Sequence, residues 1–256
     1  MQDFLQDSAP ECPETAAGDT SGDWMLRNRM LLGGRAVDTL REKHVAVFGL
    51  GGVGSYAAEA LARAGIGTLT LIDQDTVGLT NINRQLCALH STLGRPKAEV
   101  MAERALDINP DCAVRAMVAR YHADTRNAFF TETYDYIVDA IDLVACKLDL
   151  IENAAARGIP IISALGTGNK LDPSQFRIDD IQKTMMCPLA RVIRKELRRR
   201  GIVHHRVLWS PETPVEAEQL DDCPPGRRSV PASAPWVPAC AGLMLAGDVV
   251  MRLIGA

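Results

Sequence analysis

His44-Val-Ala-Val-Phe-Gly49-Leu-Gly51-Gly52-Val-Gly54-Ser55 joins a short apolar run to a Gly-x-Gly-x-x-Gly loop, and residues 55–64, SYAAEALARA, come directly after it. The apolar run has the composition of a buried strand, and the small residues after the loop read as a closely packing helix. Between strand and helix, such glycines let the backbone turn tightly and bring peptide N–H groups up to a phosphate at the helix N-terminus. The next apolar run, residues 68–72, ends at Asp73. That is about twenty residues beyond the loop, where an acid can accept hydrogen bonds from a ribose. Gly49, Gly51, Gly52, Gly54 and Asp73 therefore describe a nucleotide site of doubly wound type.

Working outward, residues 24–43 read as a leading helical segment and residues 44–165 as alternating strands and helices. The later units are a strand at 113–119, a helix at 125–130, a strand at 135–140, a helix at 147–157 and a strand at 160–164. Such alternation predicts an α/β fold, a doubly wound, mostly parallel sheet covered on both faces. Residues 174–210 read as a strand, a basic helix and a further strand. Residues 211–238 form a long loop rich in Pro and acids, and residues 239–254 an apolar helix of small residues. The expected division is a disordered acidic leader over 1–23, a Rossmann-like nucleotide-binding core over 24–165, and a smaller C-terminal α+β extension over 166–256.

The residues after Asp73 do not suit hydride transfer. Asp73-Gln-Asp75 leads into a polar stretch holding Asn81, Asn83, Arg84 and Gln85, then Arg95 and Lys97. Attack by a carboxylate on the α-phosphorus of ATP brings two anions together, and Arg84 and Lys97 would neutralise that charge, with Arg suited to bidentate phosphate contact. Mg²⁺ is held by one or two carboxylates plus phosphates. Asp142 is the metal candidate, because Tyr136-Ile-Val-Asp139-Ala-Ile-Asp142 is a buried strand running out into two acids, and open α/β sheets bind ligands beyond their strand C-termini. Arg84, Lys97 and Asp142 are the catalytic candidates. Gly49, Gly51, Gly52, Gly54, Asp73, Asp75, Asn81, Asn83, Gln85 and Asp139 complete the nucleotide-binding set.

These motifs, with Gly94-Arg-Pro-Lys97, resemble the ubiquitin-activating-enzyme-like adenylation superfamily from about Arg27 onward. Lys97-Ala-Glu-Val-Met-Ala-Glu-Arg104, Ile108-Asn-Pro110, Gly168-Asn-Lys170-Leu-Asp-Pro173 and Cys187-Pro-Leu-Ala-Arg191 are similar to its branch of tRNA threonylcarbamoyladenosine dehydratases. The resemblance implies ATP and Mg²⁺, with a monovalent cation left open. It also implies a homodimer in which an arginine ahead of the first strand reaches the neighbouring subunit's ATP; Arg27 is preferred over Arg29. The implied reaction adenylates the substrate's own carboxylate and then closes a ring by attack of the carbamoyl group. A sulfurtransferase-system protein is a possible further partner. The alternative within the superfamily is activation of the C-terminal glycine of a sulfur-carrier or ubiquitin-like protein. Relatives of that kind commonly hold zinc through two C-x-x-C pairs, and the seven cysteines here form none, so no zinc is expected.

Scattered cysteines without a signal peptide fit reduced thiols in cytoplasm. Cys187 and Cys240 are the ones to watch, since Cys187-Pro188 opens the basic helix and a thiolate there would gain from the helix dipole. The net charge of −4 over 256 residues does not by itself suggest a polyanionic partner, but the charge is uneven. Residues 1–23 hold six acids and no Lys or Arg, whereas Arg191, Arg194, Lys195, Arg198, Arg199 and Arg200 crowd one helix, with His204-His205-Arg206 just beyond it. On that helix Leu189, Val192, Ile193, Glu196 and Leu197 would form the packed stripe, leaving Arg191, Arg194, Lys195, Arg198 and Arg199 as candidates for RNA phosphates. Lys170, on a glycine turn facing the ligand side, either touches substrate or is a solvated loop lysine. The helix at 239–254 is short and charged for a membrane span, so packing against the core or a second subunit is expected rather than membrane association.

Overall fold

The computed structural model describes residues 23–218 and 231–256. Apart from Asp23, the acidic leader lies outside them, as does part of the long loop. A single seven-stranded sheet runs through the centre. Its strands are β1 (His44–Phe48), β2 (Thr68–Ile72), β3 (Ala113–Met117), β4 (Tyr136–Asp139), β5 (Ile161–Ala164), β6 (Arg177–Asp180) and β7 (Arg206–Trp209). They lie in the order β3-β2-β1-β4-β5-β7-β6, all neighbours parallel except the β6–β7 pair. The α/β expectation is met, and residues 166–256 supply the last two strands of the same sheet. β1, β2 and β4 are buried almost throughout, the mark of parallel strands covered on both faces.

The chain steps from β1 outward to β2 and β3, then returns to the other side of β1 to lay down β4. A parallel sheet opens a crevice at such a reversal, beyond the strand C-termini. The register Phe48↔Asp139 brings the glycine loop after β1 level with the acidic turn after β4. The site is thus fixed by topology before any side chain is considered.

Helices α1 (Leu26–Leu32) and α2 (Gly34–Arg41) precede β1, and α3 (Gly54–Ala64) succeeds the loop. The others are α4 (Lys97–Ile108), α5 (Val144–Ala156), α6 (Pro188–Arg199) and α7 (Trp236–Leu253). Helix α4, which the sequence pattern leaves unassigned, is fastened by a short ladder: Thr76 bridges Pro96, and the Lys97 N–H donates to the Asp75 carbonyl. The helix expected at 125–130 is a single 3-10 turn, Arg126–Phe129. Phe129 and Tyr121 pack there on Phe48, so tertiary contact rather than helix propensity sets that segment.

Helix α7 begins three residues earlier than expected, because Pro238 falls in its first turn, where a missing N–H costs nothing. It is long and apolar enough, by length and composition alone, to cross a membrane. One side of it packs on α3, with Val237, Ala241, Leu245 and Val249 buried beside Ala57, Leu61 and Ala62. The approach is close: a Cβ on Gly242 would lie 2.3 Å from the Val53 carbonyl oxygen. On α6 the buried residues are Ala190, Ile193 and Leu197. Val192, expected in the packed stripe, is exposed.

Candidate nucleotide site

The glycine loop is the floor of the site. Gly49 has φ +88°, and a Cβ there would sit 2.8 Å from the Ala140 carbonyl oxygen. At Gly54 a Cβ would be 1.7 Å from the Gly49 carbonyl oxygen, so no side chain fits. Gly51 is different: the nearest atom a Cβ would meet is Gln85 Nε2 at 3.9 Å. Nothing therefore crowds the backbone at Gly51 more closely than ordinary van der Waals contact at the start of α3, as a phosphate cradle requires. Ser55 closes the turn, its hydroxyl donating to the Gly51 carbonyl at 2.6 Å while accepting from the Leu86 N–H at 3.2 Å.

Asp73 clamps this loop to the end of β2. Its Oδ2 accepts the Leu50 N–H at 2.6 Å and its Oδ1 the Asp75 N–H at 2.8 Å. Burial pushes its carboxyl above the usual range, opposed by those two N–H groups and by Lys97. Each oxygen keeps a second lone pair that a ribose hydroxyl could use. Lys97, only 5% exposed, donates from Nζ to Asp75 Oδ2 at 3.1 Å. Its ammonium is thus held beside both acids at the mouth of the loop.

The Asn81-to-Gln85 segment forms the opposite wall. A Cβ on Gly52 would lie 3.5 Å from Arg84 Cγ. Arg84 Nη1 donates to the Thr80 carbonyl and to Asn83 Oδ1, each at 2.9 Å. Among the described residues no carboxylate pairs with Arg84, and partial burial lowers its pKa. Asn81 Oδ1 accepts from the Gly78 N–H at 3.1 Å, and Asn83 Nδ2 donates to the Ser233 carbonyl at 3.0 Å. Gln85 is buried against the loop. Asp142 is exposed in the turn between β4 and α5, two residues past the Ala140 carbonyl that touches Gly49. One exposed carboxylate beside a phosphate cradle is a donor set that suits Mg²⁺, which takes few protein ligands.

Not every candidate gathers there. Asp139 is fully buried, its Oδ2 accepting from Lys147 Nζ at 2.7 Å and Ser163 Oγ at 2.6 Å, and its Oδ1 from the Ile141 N–H at 3.0 Å. It braces the turn that carries Asp142 from below. The Ser163 hydroxyl spends its one proton on Asp139, so His205 Nε2, 2.8 Å away, must be the donor to Ser163 Oγ. Lys147, Ser163 and His205 carry no signal in the local sequence. They meet only because β4, α5, β5 and β7 are neighbours.

Burial, then the Lys147 ammonium, pushes the His205 imidazolium down to about 3. In the unfolded chain it would titrate near 6.5. Between those values only the unfolded chain binds the proton, so stability conferred above pH 6.5 is lost as pH falls toward 3, by up to about 1.4 kcal/mol per pH unit. Thermal melts should fall more steeply between pH 6.5 and 5 in the unaltered protein than in His205→Gln; parallel slopes would remove His205 as the cause.

Lys170 is neither solvated nor loose. It is 4% exposed, and its Nζ donates to the Glu212 carbonyl at 2.6 Å, burial pulling its pKa down. Of the α6 cations, Arg194 is turned inward onto the Thr184 carbonyl at 2.8 Å, Arg198 bonds Gln182, and Arg199 pairs with Glu196. Arg191 and Lys195 are exposed, with no carboxylate partner among the described residues. His205 and Arg206, part of the basic run by sequence, are withdrawn, Arg206 pairing bidentately with Asp248 on α7. Cys187 caps α6, its buried Sγ accepting the Ala190 N–H at 3.5 Å. At α1, Arg29 is held by Asp23 and Asp38, whereas Arg27 is exposed and unpaired with any described carboxylate. A hollow of about 430 Å³ between Tyr56, Arg63, Leu86 and Leu243 lies along the flank of α3 and contains none of the nucleotide candidates.

The model of the family described as "ThiF family" matches residues 25–256. A tRNA threonylcarbamoyladenosine dehydratase of Bacillus subtilis (strain 168) is 44% identical over 237 residues, 89% of this chain and 93% of that protein. The crystal structure of Escherichia coli tRNA N6-threonylcarbamoyladenosine dehydratase, TcdA, in complex with ATP superposes with a TM-score of 0.82 at 34% identity, covering 94% of this chain and 97% of that one. The AMP complex of that enzyme gives 0.81 at 34% identity, covering 93% and 98%.

Proposed function

This chain belongs to the ThiF family, and its 44% identity to a tRNA threonylcarbamoyladenosine dehydratase supports the activity we propose for it, that of an ATP-dependent tRNA threonylcarbamoyladenosine dehydratase. The substrate's carboxylate oxygen attacks the α-phosphorus of ATP and expels pyrophosphate. The carbamoyl group then attacks the acyl carbon, a ring closes, and AMP leaves with the carboxylate oxygen while the attacking group gives up a proton. The net change is loss of water from the nucleoside, with no protein nucleophile.

The observation that carries this reading is convergence on one loop. Arg84 lies against Gly52, Lys97 reaches it through Asp75 and Asp73, and Asp142 through Ala140 and Gly49. Two cations and one exposed carboxylate are what a triphosphate with a bound metal needs. Asp142 would hold Mg²⁺, which supplies neutralisation of phosphate charge. Lys97 and Arg84 would meet the phosphates, and Asp73 would orient the ribose. Catalysis by such a site is positioning and charge stabilisation.

Arg191 and Lys195 on α6, exposed and without a carboxylate partner among the described residues, support tRNA phosphate contact on that face, a surface whose affinity would fall with salt. The exposed Arg27 supports a homodimer in which it reaches the neighbour's ATP. The proposed compartment is the cytoplasm.

The test is ATP–pyrophosphate exchange with Mg²⁺, with and without tRNA bearing threonylcarbamoyladenosine. Exchange that depends on that tRNA, with loss of one water from the nucleoside, is the expected result. Exchange with a small carrier protein ending in glycine, and none with the tRNA, would overturn it. Cys187→Ser should keep at least about half of the exchange rate, because serine is itself a good helix N-cap. A folded but inactive Cys187→Ser would replace the direct cyclisation with a covalent route.

A further inference from the structure

Outside the nucleotide loop, one stretch ties together segments that are remote in sequence. Residues 166–172 come after β5 and pass beneath the residues that lead into α7. Asn169 sits at their centre in the left-handed region, φ +57°. Its backbone N–H donates to the Ala232 carbonyl at 2.8 Å, and its side-chain Oδ1 accepts the Ala232 N–H at 2.7 Å. Its own carbonyl accepts the Val215 N–H at 2.8 Å. One residue therefore grips Ala232 from both sides, and asparagine is among the few non-glycine residues that tolerate this backbone conformation while offering a side-chain acceptor.

The next residue, Ser233, carries the grip onward. Its carbonyl accepts Asn83 Nδ2 at 3.0 Å, and Asn83 Oδ1 accepts Arg84 Nη1 at 2.9 Å. The path from Asn169 to the Arg84 guanidinium is thus one continuous series: Asn169 Oδ1, Ala232, Ser233, Asn83, Arg84. Arg84 has no carboxylate among the described residues to hold it, so Asn83 and the Thr80 carbonyl set its direction. Without Ser233, the Asn83 amide would be free to turn and its oxygen would leave Arg84.

We infer that Asn169 is a positioning residue for ATP binding: through Ala232, Ser233 and Asn83 it orients the Arg84 guanidinium toward the phosphates. This deepens the nucleotide reading above and rests on it. It also links the turn after β5 to the phosphate side of the site, so an event at residues 166–172 is felt by the arginine.

The test uses the full chain, with ATP affinity measured by calorimetry and folding by thermal melts. Asn169→Gly keeps the left-handed backbone at no steric cost but deletes the Oδ1 acceptor. A lost hydrogen bond of ordinary strength should weaken ATP binding on the order of fivefold. Asn169→Asp retains an acceptor oxygen and should recover most of that loss. In a double-mutant cycle, Asn83→Ala with Asn169→Gly should bind ATP no worse than Asn83→Ala alone, since both cut one path. Ala232→Pro deletes the same bond from its donor side and decides the matter if the glycine variant does not fold. Unchanged ATP affinity in folded Asn169→Gly, or additive losses in the cycle, would overturn the relay while leaving the nucleotide assignment standing. Failure of the unaltered protein to bind ATP would instead remove the nucleotide assignment, and the relay with it.

Discussion

Lys97→Ala is expected to lower ATP–pyrophosphate exchange by roughly a hundredfold or more, with a melting temperature close to that of the unaltered protein. Two effects add. The ammonium that would face the phosphates is lost, and the Asp75 carboxylate, until then paired with Lys97 at 3.1 Å, is unmasked. That acid would repel the triphosphate. Stability should change little, because Asp75 is 57% exposed at its side chain and can be solvated when its partner goes. Lys97→Arg should not restore the rate, since a wide planar guanidinium replaces a compact ammonium at a side chain only 5% exposed. Asp75→Ala placed on Lys97→Ala should recover part of the ATP affinity but not the rate. Exchange near the unaltered rate in Lys97→Ala would show that the phosphates lie elsewhere.

The second large effect is on stability. Lys147→Met should destabilise the fold by about 3–5 kcal/mol, because it leaves the Asp139 carboxylate buried without its countercharge. Both side chains are wholly inaccessible and 2.7 Å apart. For a chain of this size that corresponds to a melting temperature lower by on the order of 10 °C. Ser163 and the Ile141 N–H would still bond Asp139, but neutral donors offset only part of the desolvation. Adding Asp139→Asn should return most of the loss, since no buried charge then remains. Chemical denaturation of the single and double variants measures both terms, and a Lys147→Met protein as stable as the unaltered one would show that the Lys147–Asp139 pair contributes no net stability.

Much of the fold is legible because its signals are local. The strand–loop–helix around Gly49, the acid at Asp73 and the acid pair ending β4 each lie within a few residues, and the order of such units implies the topology. The cations Arg84 and Lys97 are identifiable by their place in the polar stretch between β2 and α4 and at the start of α4. The features that escape the sequence depend on register between distant elements. Nothing near Asp139 in the chain announces that Lys147 will point inward from the first turns of α5, or that Ser163 and His205 will complete its shell. Lys170 reads as a substrate contact or a solvated loop lysine because its partners, the carbonyls of Ser210 and Glu212, come from a segment some forty residues away. The basic helix misleads in a similar way: periodicity gives its general amphipathic character, but Arg194 faces Thr184, and only neighbouring structure decides that.

The packing of α7 on α3 has a consequence for how the protein is made. Translation delivers β1, the glycine loop and α3 early, then all remaining strands, and α7 only afterwards. Until α7 emerges, α3 lacks one of the helices that cover it in the finished molecule. The sheet can pair strand by strand as it leaves the ribosome, but the helix whose first turn forms the phosphate cradle waits for a contact almost the whole chain away. Long-range closure of this kind comes late in folding. A nascent chain can therefore carry every residue of the nucleotide loop well before it can hold that loop in its working shape.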